Sequence, residues 1–436
     1  MIVGQFDVEF RRDGSVFDQE QATAFLSGLR NASDLLVLSH GWNNDKADAE
    51  KLYDAFLANL AELQERVADG TAPKLAVLRV LWPSKKFTDA DLIPGGGVAS
   101  ADAENDAALL RALSVLKHDP DRLGEVGVDS ARAGNIEQAT ALIDQLETSE
   151  SARREFVLRI RSVLNPDEAH EDDGSREFFD RDPEELFDAF SVGVPVDLPV
   201  GEGGVAAVSD GGAPFLGDLL SGTKAAARRI TNFGTYYQMK ARAATVGKTG
   251  LASLLLRVRE RYPQLPVHLV GHSFGGRLVT AAASMFEPGD VPVTMALLQA
   301  AYSHNGLGRK FDGRNDGAFR RILDRPLISG PVIITHTKND LAVGIAYPLA
   351  SRIARDNSAS FGEQDDPYGG MGRNGAQHTP ELSSDETELR AVGIGPTYRF
   401  RPGNVYNLNA DKIITGHSDV TKPAAVNAVL AVMGTR

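Results

Sequence analysis

The residues whose types and spacing point to chemistry are Gly271-His272-Ser273-Phe274-Gly275. The serine follows an apolar run, Val267, Leu269 and Val270, and precedes Leu278 to Met285, which carries Ala281, Ala282 and Ala283. Strand, tight turn and helix are the context in which a G-x-S-x-G pattern lifts a serine hydroxyl above a sheet. Gly271 and Gly275 have a steric role there, because a β-carbon at either position would obstruct the approach of strand and helix. The chemistry implied is nucleophilic attack by Ser273 on an acyl carbon.

A serine hydroxyl is a weak nucleophile at neutral pH, so it needs a base to take its proton and a third group to orient that base. Histidines stand at positions 40, 118, 170, 268, 272, 304, 336, 378 and 417. Reactive groups in open α/β sheets gather beyond the carboxyl ends of strands. His417 follows the last apolar strand, Val405 to Asn409, and is the expected base, with His378 as its rival. Asp340, five residues past the strand ending at Thr335, is the expected orienting carboxylate; Asp316, Asp411 and Asp419 remain alternatives. The chain order Ser273, Asp340, His417 is the order that accompanies such turns.

Acyl transfer develops negative charge on oxygen, which calls for two preorganised N–H donors. The backbone amide of Phe274, directly after the nucleophile, is one. The second is expected from His40-Gly41-Trp42, through the Trp42 N–H, with His40 bracing that loop and Gly41 allowing close approach. His272 reads as a packing or hydrogen-bonding neighbour.

These residues need a frame, and 436 residues exceed the usual size of one domain. A net charge of −13 disfavours a nucleic-acid or anionic-membrane partner, since phosphate binding needs a clustered basic surface. The absence of cysteine removes disulfides, thiolate metal sites and a cysteine nucleophile. No H-E-x-x-H, calcium loop or phosphate loop is present, so neither metal nor cofactor is expected. No basic-then-apolar leader and no apolar run of about 18 residues is visible, which makes a cytoplasmic location the expectation, although a trimmed signal peptide would leave the same sequence. Oligomeric state is not legible.

Along the chain, residues 1–18 read as a hairpin, with Phe6, Val8 and Phe10 on one side and a turn at Asp13-Gly14, adding antiparallel strands at a sheet edge. Apolar strands at Leu35 to Leu38, Leu75 to Leu81, Val267 to Val270, Met295 to Leu298, Val332 to Thr335 and Val405 to Asn409 alternate with helical patterns. Asp45 or Asp48 caps the helix after the Leu35 to Leu38 strand, and Pro423 opens the last helix. This alternation predicts an α/β fold with a mainly parallel central sheet and helices on both faces. From Lys85 to Phe233 it gives way to helical stripes broken by glycine, proline and acidic residues. The division expected is a core of residues 1–84 and 234–436 and a large, mostly helical cap insertion, 85–233. Phe178, Phe179, Phe187, Phe190 and Phe215 suit the lining of an acyl pocket.

Together the His-Gly-x loop, the Gly-His-Ser-Phe-Gly-Gly turn, Asp340 with Val343, and the late His417 resemble the α/β-hydrolase superfamily. More narrowly, Ser39-His40-Gly41-Trp42-Asn43 and Trp82-Pro83-Ser84 look like a bacterial group of serine esterases and lipase-like hydrolases without a settled substrate. The resemblance covers about residues 1–85 and 235–436 and leaves out Lys85 to Phe233. It implies a cofactor-independent serine hydrolase that cleaves a small-molecule, lipid or polymeric ester through an acyl-enzyme. Thioesterases, amidases and acyltransferases use the same machinery, and a non-catalytic scaffold is the reading from another class.

Overall fold

The structure, a computed structural model, describes residues 1–66, 73–84, 101–123, 125, 130–191, 222–289, 292–340, 367–393 and 398–435. Strands β1 (Ile2–Glu9), β2 (Asp34–Ser39), β3 (Leu75–Leu81), β4 (Val267–His272), β5 (Val293–Leu298), β6 (Val332–His336) and β7 (Val405–Asn409) form one sheet. Its order is β1-β3-β2-β4-β5-β6-β7, and every pairing is parallel.

Apolar side chains alternate between the two faces, as a period of two requires. Leu35, Val37, Leu269, Met295 and Leu297 join the core beneath α1 (Gln19–Gly28), α9 (Ala252–Arg261) and α10 (Phe274–Ala283). Leu36, Leu38, Val270, Ala296 and Leu298 join the opposite core, under α2 (Lys46–Glu65) and the C-terminal helix Pro423–Met433. Asp45 and Asp48 both cap α2, in a reciprocal capping box. Burial on both faces is why the central strands read as continuous apolar runs.

The N-terminal segment corrects one expectation. Residues 1–18 do not form an antiparallel hairpin; β1 is a single strand paired in parallel with β3. The turn at Gly14, φ 86°, returns the chain only to an isolated bridge between Phe10 and Val16. Asp18 then caps α1, whose buried Ala22, Phe25 and Leu26 carry the chain across the sheet to β2. Alternation marks a strand but leaves the direction of its partner open.

The insertion builds its own interior. Helices α3 (Ala101–Lys117), α4 (Ser130–Ala141), α5 (Glu150–Ser162), α6 (Ser175–Asp180), α7 (Pro183–Ser191) and α8 (Thr223–Thr245) converge on a third cluster. Phe178, Phe187 and Phe190 are buried within it and Phe179 packs against it, so these rings fill the insertion instead of lining an acyl pocket. Phe215 and Val343 lie outside the described residues.

The expected division at Phe233 falls inside α8, and α8 belongs to both bodies. Ala226, Ile230, Phe233 and Tyr237 face the insertion's core, while Tyr236, Met239, Ala243 and Ala244 face that of the sheet. A π-helical turn, Val246–Leu251, joins α8 to α9. Gly247 in that turn fits against α10, since a β-carbon there would lie 2.9 Å from that of Ala281. Ion pairs tie the bodies further: Asp119 meets Arg12 and the buried Arg242, and the buried Lys240 meets Asp173. No helix among the described residues is long and apolar enough to cross a membrane.

Candidate active site

Strand β4 ends at His272, α10 begins at Phe274, and Ser273 makes the turn alone with φ 56° and ψ −126°. A non-glycine residue in that region costs about 1–3 kcal/mol and persists only where neighbours enforce it. The enforcement is visible. The Ser273 N–H donates to the Leu298 carbonyl at 3.1 Å, and its own carbonyl accepts from Gly276 and Ala301, each at 3.0 Å. A β-carbon on Gly271 would lie 2.5 Å from the Gly276 Cα, and one on Gly275 would collide with the carbonyl oxygens of Ser39 and His40. Both glycines are therefore conditions of the turn.

The three residues expected to cooperate are brought together from 67 and 77 residues apart in successive steps along the chain. His417 Nε2 lies 2.8 Å from Ser273 Oγ, and His417 Nδ1 lies 2.8 Å from Asp340 Oδ2. A carboxylate only accepts, so Nδ1 carries the proton and Nε2 presents its lone pair to the serine hydroxyl. Asp340 is fully buried and the His417 side chain is 12% exposed, so the pair is shielded from water. Low local polarity strengthens such a charge-assisted bond.

The loops that carry His417 and Asp340 are stitched to each other. Asn339 Nδ2 donates to the carbonyls of Asp411 and Ile414, at 3.0 and 2.9 Å. Asp411 accepts from Thr337 Oγ1 at 2.8 Å and the Lys338 N–H at 3.0 Å. Burial opposes ionisation of Asp411, but those bonds hold its carboxyl below the ordinary range. The alternative carboxylates are thus engaged elsewhere: Asp411 in this brace, Asp419 with Thr415 and Lys422, and Asp316 with the Lys310 N–H. His378, the rival base, is exposed on a turn at φ 52°.

The loop after β2 lies directly against the serine. A β-carbon on Gly41 would sit 2.7 Å from Ser273 Cβ and 3.2 Å from its Oγ, which brings the peptide entering Trp42 beside the hydroxyl. The Trp42 ring packs on Phe274 with centroids 5.7 Å apart. His40 is a brace: its Nε2 accepts the Trp82 N–H at 3.3 Å, its Nδ1 faces the Gly41 carbonyl at 3.0 Å, and its ring stacks on Trp82. Complete burial lowers its pKa to about 4, keeping it neutral.

Three contributors escaped the sequence reading. Asn339 had a signal, a polar residue adjoining the carboxylate at a strand end. Tyr53 had none for its role: on α2 it reads as apolar filling, yet its hydroxyl accepts the His40 N–H at 2.8 Å and donates to the Val80 carbonyl. Tyr236 of α8 brings the insertion to the site, with its ring 5.3 Å from that of Phe274.

Compared with models of known protein families, with curated proteins and with solved structures, the chain showed no significant match.

Proposed function

We propose that the protein is a serine hydrolase of carboxylic esters built on an α/β-hydrolase type of core, working through an acyl-enzyme. The observation that carries this reading is the chain of 2.8 Å contacts from Ser273 through His417 to Asp340, with the serine held at positive φ between strand and helix. In this reading His417 takes the hydroxyl proton as Ser273 bonds to the acyl carbon, and Asp340 stabilises the imidazolium. The carbonyl oxygen gains the negative charge, with the Phe274 and Trp42 N–H groups as its donors. Collapse of that intermediate expels the alcohol, protonated by His417. Water then repeats the sequence to release the acid.

The serine on a turn after a central strand, with the carboxylate and histidine beyond β6 and β7, supports placing the chain among α/β-hydrolases. The parallel β1 at the edge is the feature that departs from that expectation. The test is a fluorophosphonate probe combined with p-nitrophenyl esters of increasing acyl length. Labelling confined to Ser273, with turnover lost in Ser273→Ala, supports the reading. Unchanged turnover in Ser273→Ala ends it.

A further inference from the structure

Two loops meet at Ser273, residues 40–45 carrying Gly41 and Trp42, and residues 410–420 carrying His417, and neither is a regular element over its functional residue. The side chain of His272 lies between them. Its Nε2 is 2.9 Å from the His417 carbonyl oxygen, and because a carbonyl only accepts, Nε2 is the donor. The two imidazole rings are 4.9 Å apart at 44°. On the opposite edge, a β-carbon added to Gly41 would lie 3.1 Å from His272 Nδ1, so that edge rests against the Gly41 backbone.

The ring has little freedom to leave. His272 is 5% exposed. With Leu38, Tyr53, Phe56, Val270 and Val420 it lines a small, mainly apolar cavity. One buried side chain, at the end of a central strand, therefore contacts both loops at once.

We propose that His272 is a positioning residue that holds the His417 backbone at the height at which its imidazole reaches Ser273 and Asp340 together, while propping the Gly41 loop. This rests on the serine-hydrolase reading. A general base must lie within about 2.6–3.2 Å of the atom it deprotonates, and a displacement of about 1 Å costs about 100-fold in rate. His417 is fixed to the strand-end frame by this bond and by the Asn339 clamp on Ile414, three residues earlier.

The experiment compares His272→Leu, which removes the donor, with His272→Gln, whose amide reaches the same carbonyl. Both are assayed in the full chain with p-nitrophenyl butyrate beside Ser273→Ala. Expected for His272→Leu is a fall in kcat of about 100-fold with KM within about threefold of wild type. The low-field proton resonance of the His417–Asp340 hydrogen bond should broaden. His272→Gln should restore kcat to within about tenfold of wild type and recover the resonance. Should His272→Leu fail to fold, His272→Asn, too short to reach the carbonyl, replaces it. Wild-type kcat in the donor-less variant, or a glutamine variant no better than it, overturns the positioning role even if Ser273→Ala is inactive. Turnover that survives Ser273→Ala shows instead that the underlying reading has failed, and the proposal with it.

Discussion

Two buried clusters of this molecule hold a serine, a nitrogen base and an aspartate, and they are assembled in opposite ways. At the sheet, His417 stands between Ser273 and Asp340, and the serine sits at φ 56°. Where the insertion meets the sheet domain, Lys240 Nζ lies 2.9 Å from Ser175 Oγ and is ion-paired with Asp173, while the Ser175 hydroxyl itself donates to Asp173. An ammonium has three donors and no acceptor, so Lys240 cannot take a proton while that pair persists. Burial, with Arg277 nearby, lowers the Lys240 pKa, and the ion pair with Asp173 and the charge of Asp172 oppose that shift. Ser175 lies in the first turn of α6, where its hydroxyl satisfies local donors and acceptors. Similar residue types thus aim a lone pair at a hydroxyl in one place and form a structural fastening in the other.

The largest effect expected from breaking this contrast is on activity. Ser273→Ala should lower kcat/KM for p-nitrophenyl esters by at least about 10³-fold, and Asp340→Asn by about 10⁴-fold through the wrong imidazole tautomer. Ser175→Ala should leave both turnover and probe labelling at wild-type levels. Equal losses from the two serine variants would erase the distinction.

Stability should show the reverse. Asp173→Asn strands the buried Lys240, fully inaccessible in the native fold, and should cost about 3–5 kcal/mol in urea unfolding. The paired change Lys240→Met with Asp173→Leu should cost clearly less, because no charge is then left alone. If the single variant unfolds at the wild-type midpoint, the fastening is not one.

Acid should separate the regions as well. His40, beneath the Gly41 loop, and His304, holding the segment that meets Asp172, are buried, and burial lowers each pKa from 6.5 to about 4. The unfolded chain therefore binds protons that the folded chain refuses between those values. Stability from both is complete above about pH 6.5 and lost as pH falls towards 4, on the order of 2 kcal/mol for each at pH 4.5. His170 acts with the opposite sign: burial opposes its charge, but Asp172 prevails and raises its pKa, so its contribution is lost as pH rises. Urea midpoints at pH 7, 5.5 and 4.5 should fall in that order, and more shallowly in His304→Asn.

The smallest expected effects come from helix caps. Asp45→Ala at α2 and Ser149→Ala at α5 should each cost about 1 kcal/mol in unfolding free energy. Only Asp45→Ala, three residues after Trp42, should also reduce kcat. Reduced kcat in Ser149→Ala would show that the insertion transmits its packing to the site.

Legibility differed between the same two regions. Around the sheet, β3 and β7 span the residues that their apolar runs predict, and Ser273, Asp340 and His417 meet as their positions after β4, β6 and β7 require. A parallel sheet buries both faces and aligns its carboxyl ends, so one-dimensional order carries over into spatial proximity. In the insertion no such correspondence exists. Lys224, Arg228, Arg229, Lys240 and Arg242 make α8 basic, yet Arg229, Lys240 and Arg242 are buried. The carboxylates paired with Lys240 and Arg242, Asp173 and Asp119, come from distant segments, which no periodicity within the helix encodes. The phenylalanines read as pocket lining turned inward for a related reason: composition states how much apolar area must be covered, not by what.

By itself, the sequence determined a mainly parallel frame, the tight turn at Ser273, and the order in which Ser273, Asp340 and His417 follow one another, because strand periodicity and glycine sterics act over a few residues. Only the tertiary structure decided that β1 runs parallel beside β3, that α8 serves two cores, that Asn339 joins two loops, and that His272 lies between Gly41 and His417. Those outcomes depend on contacts between segments far apart in the chain, whose geometry exists only once both cores have closed.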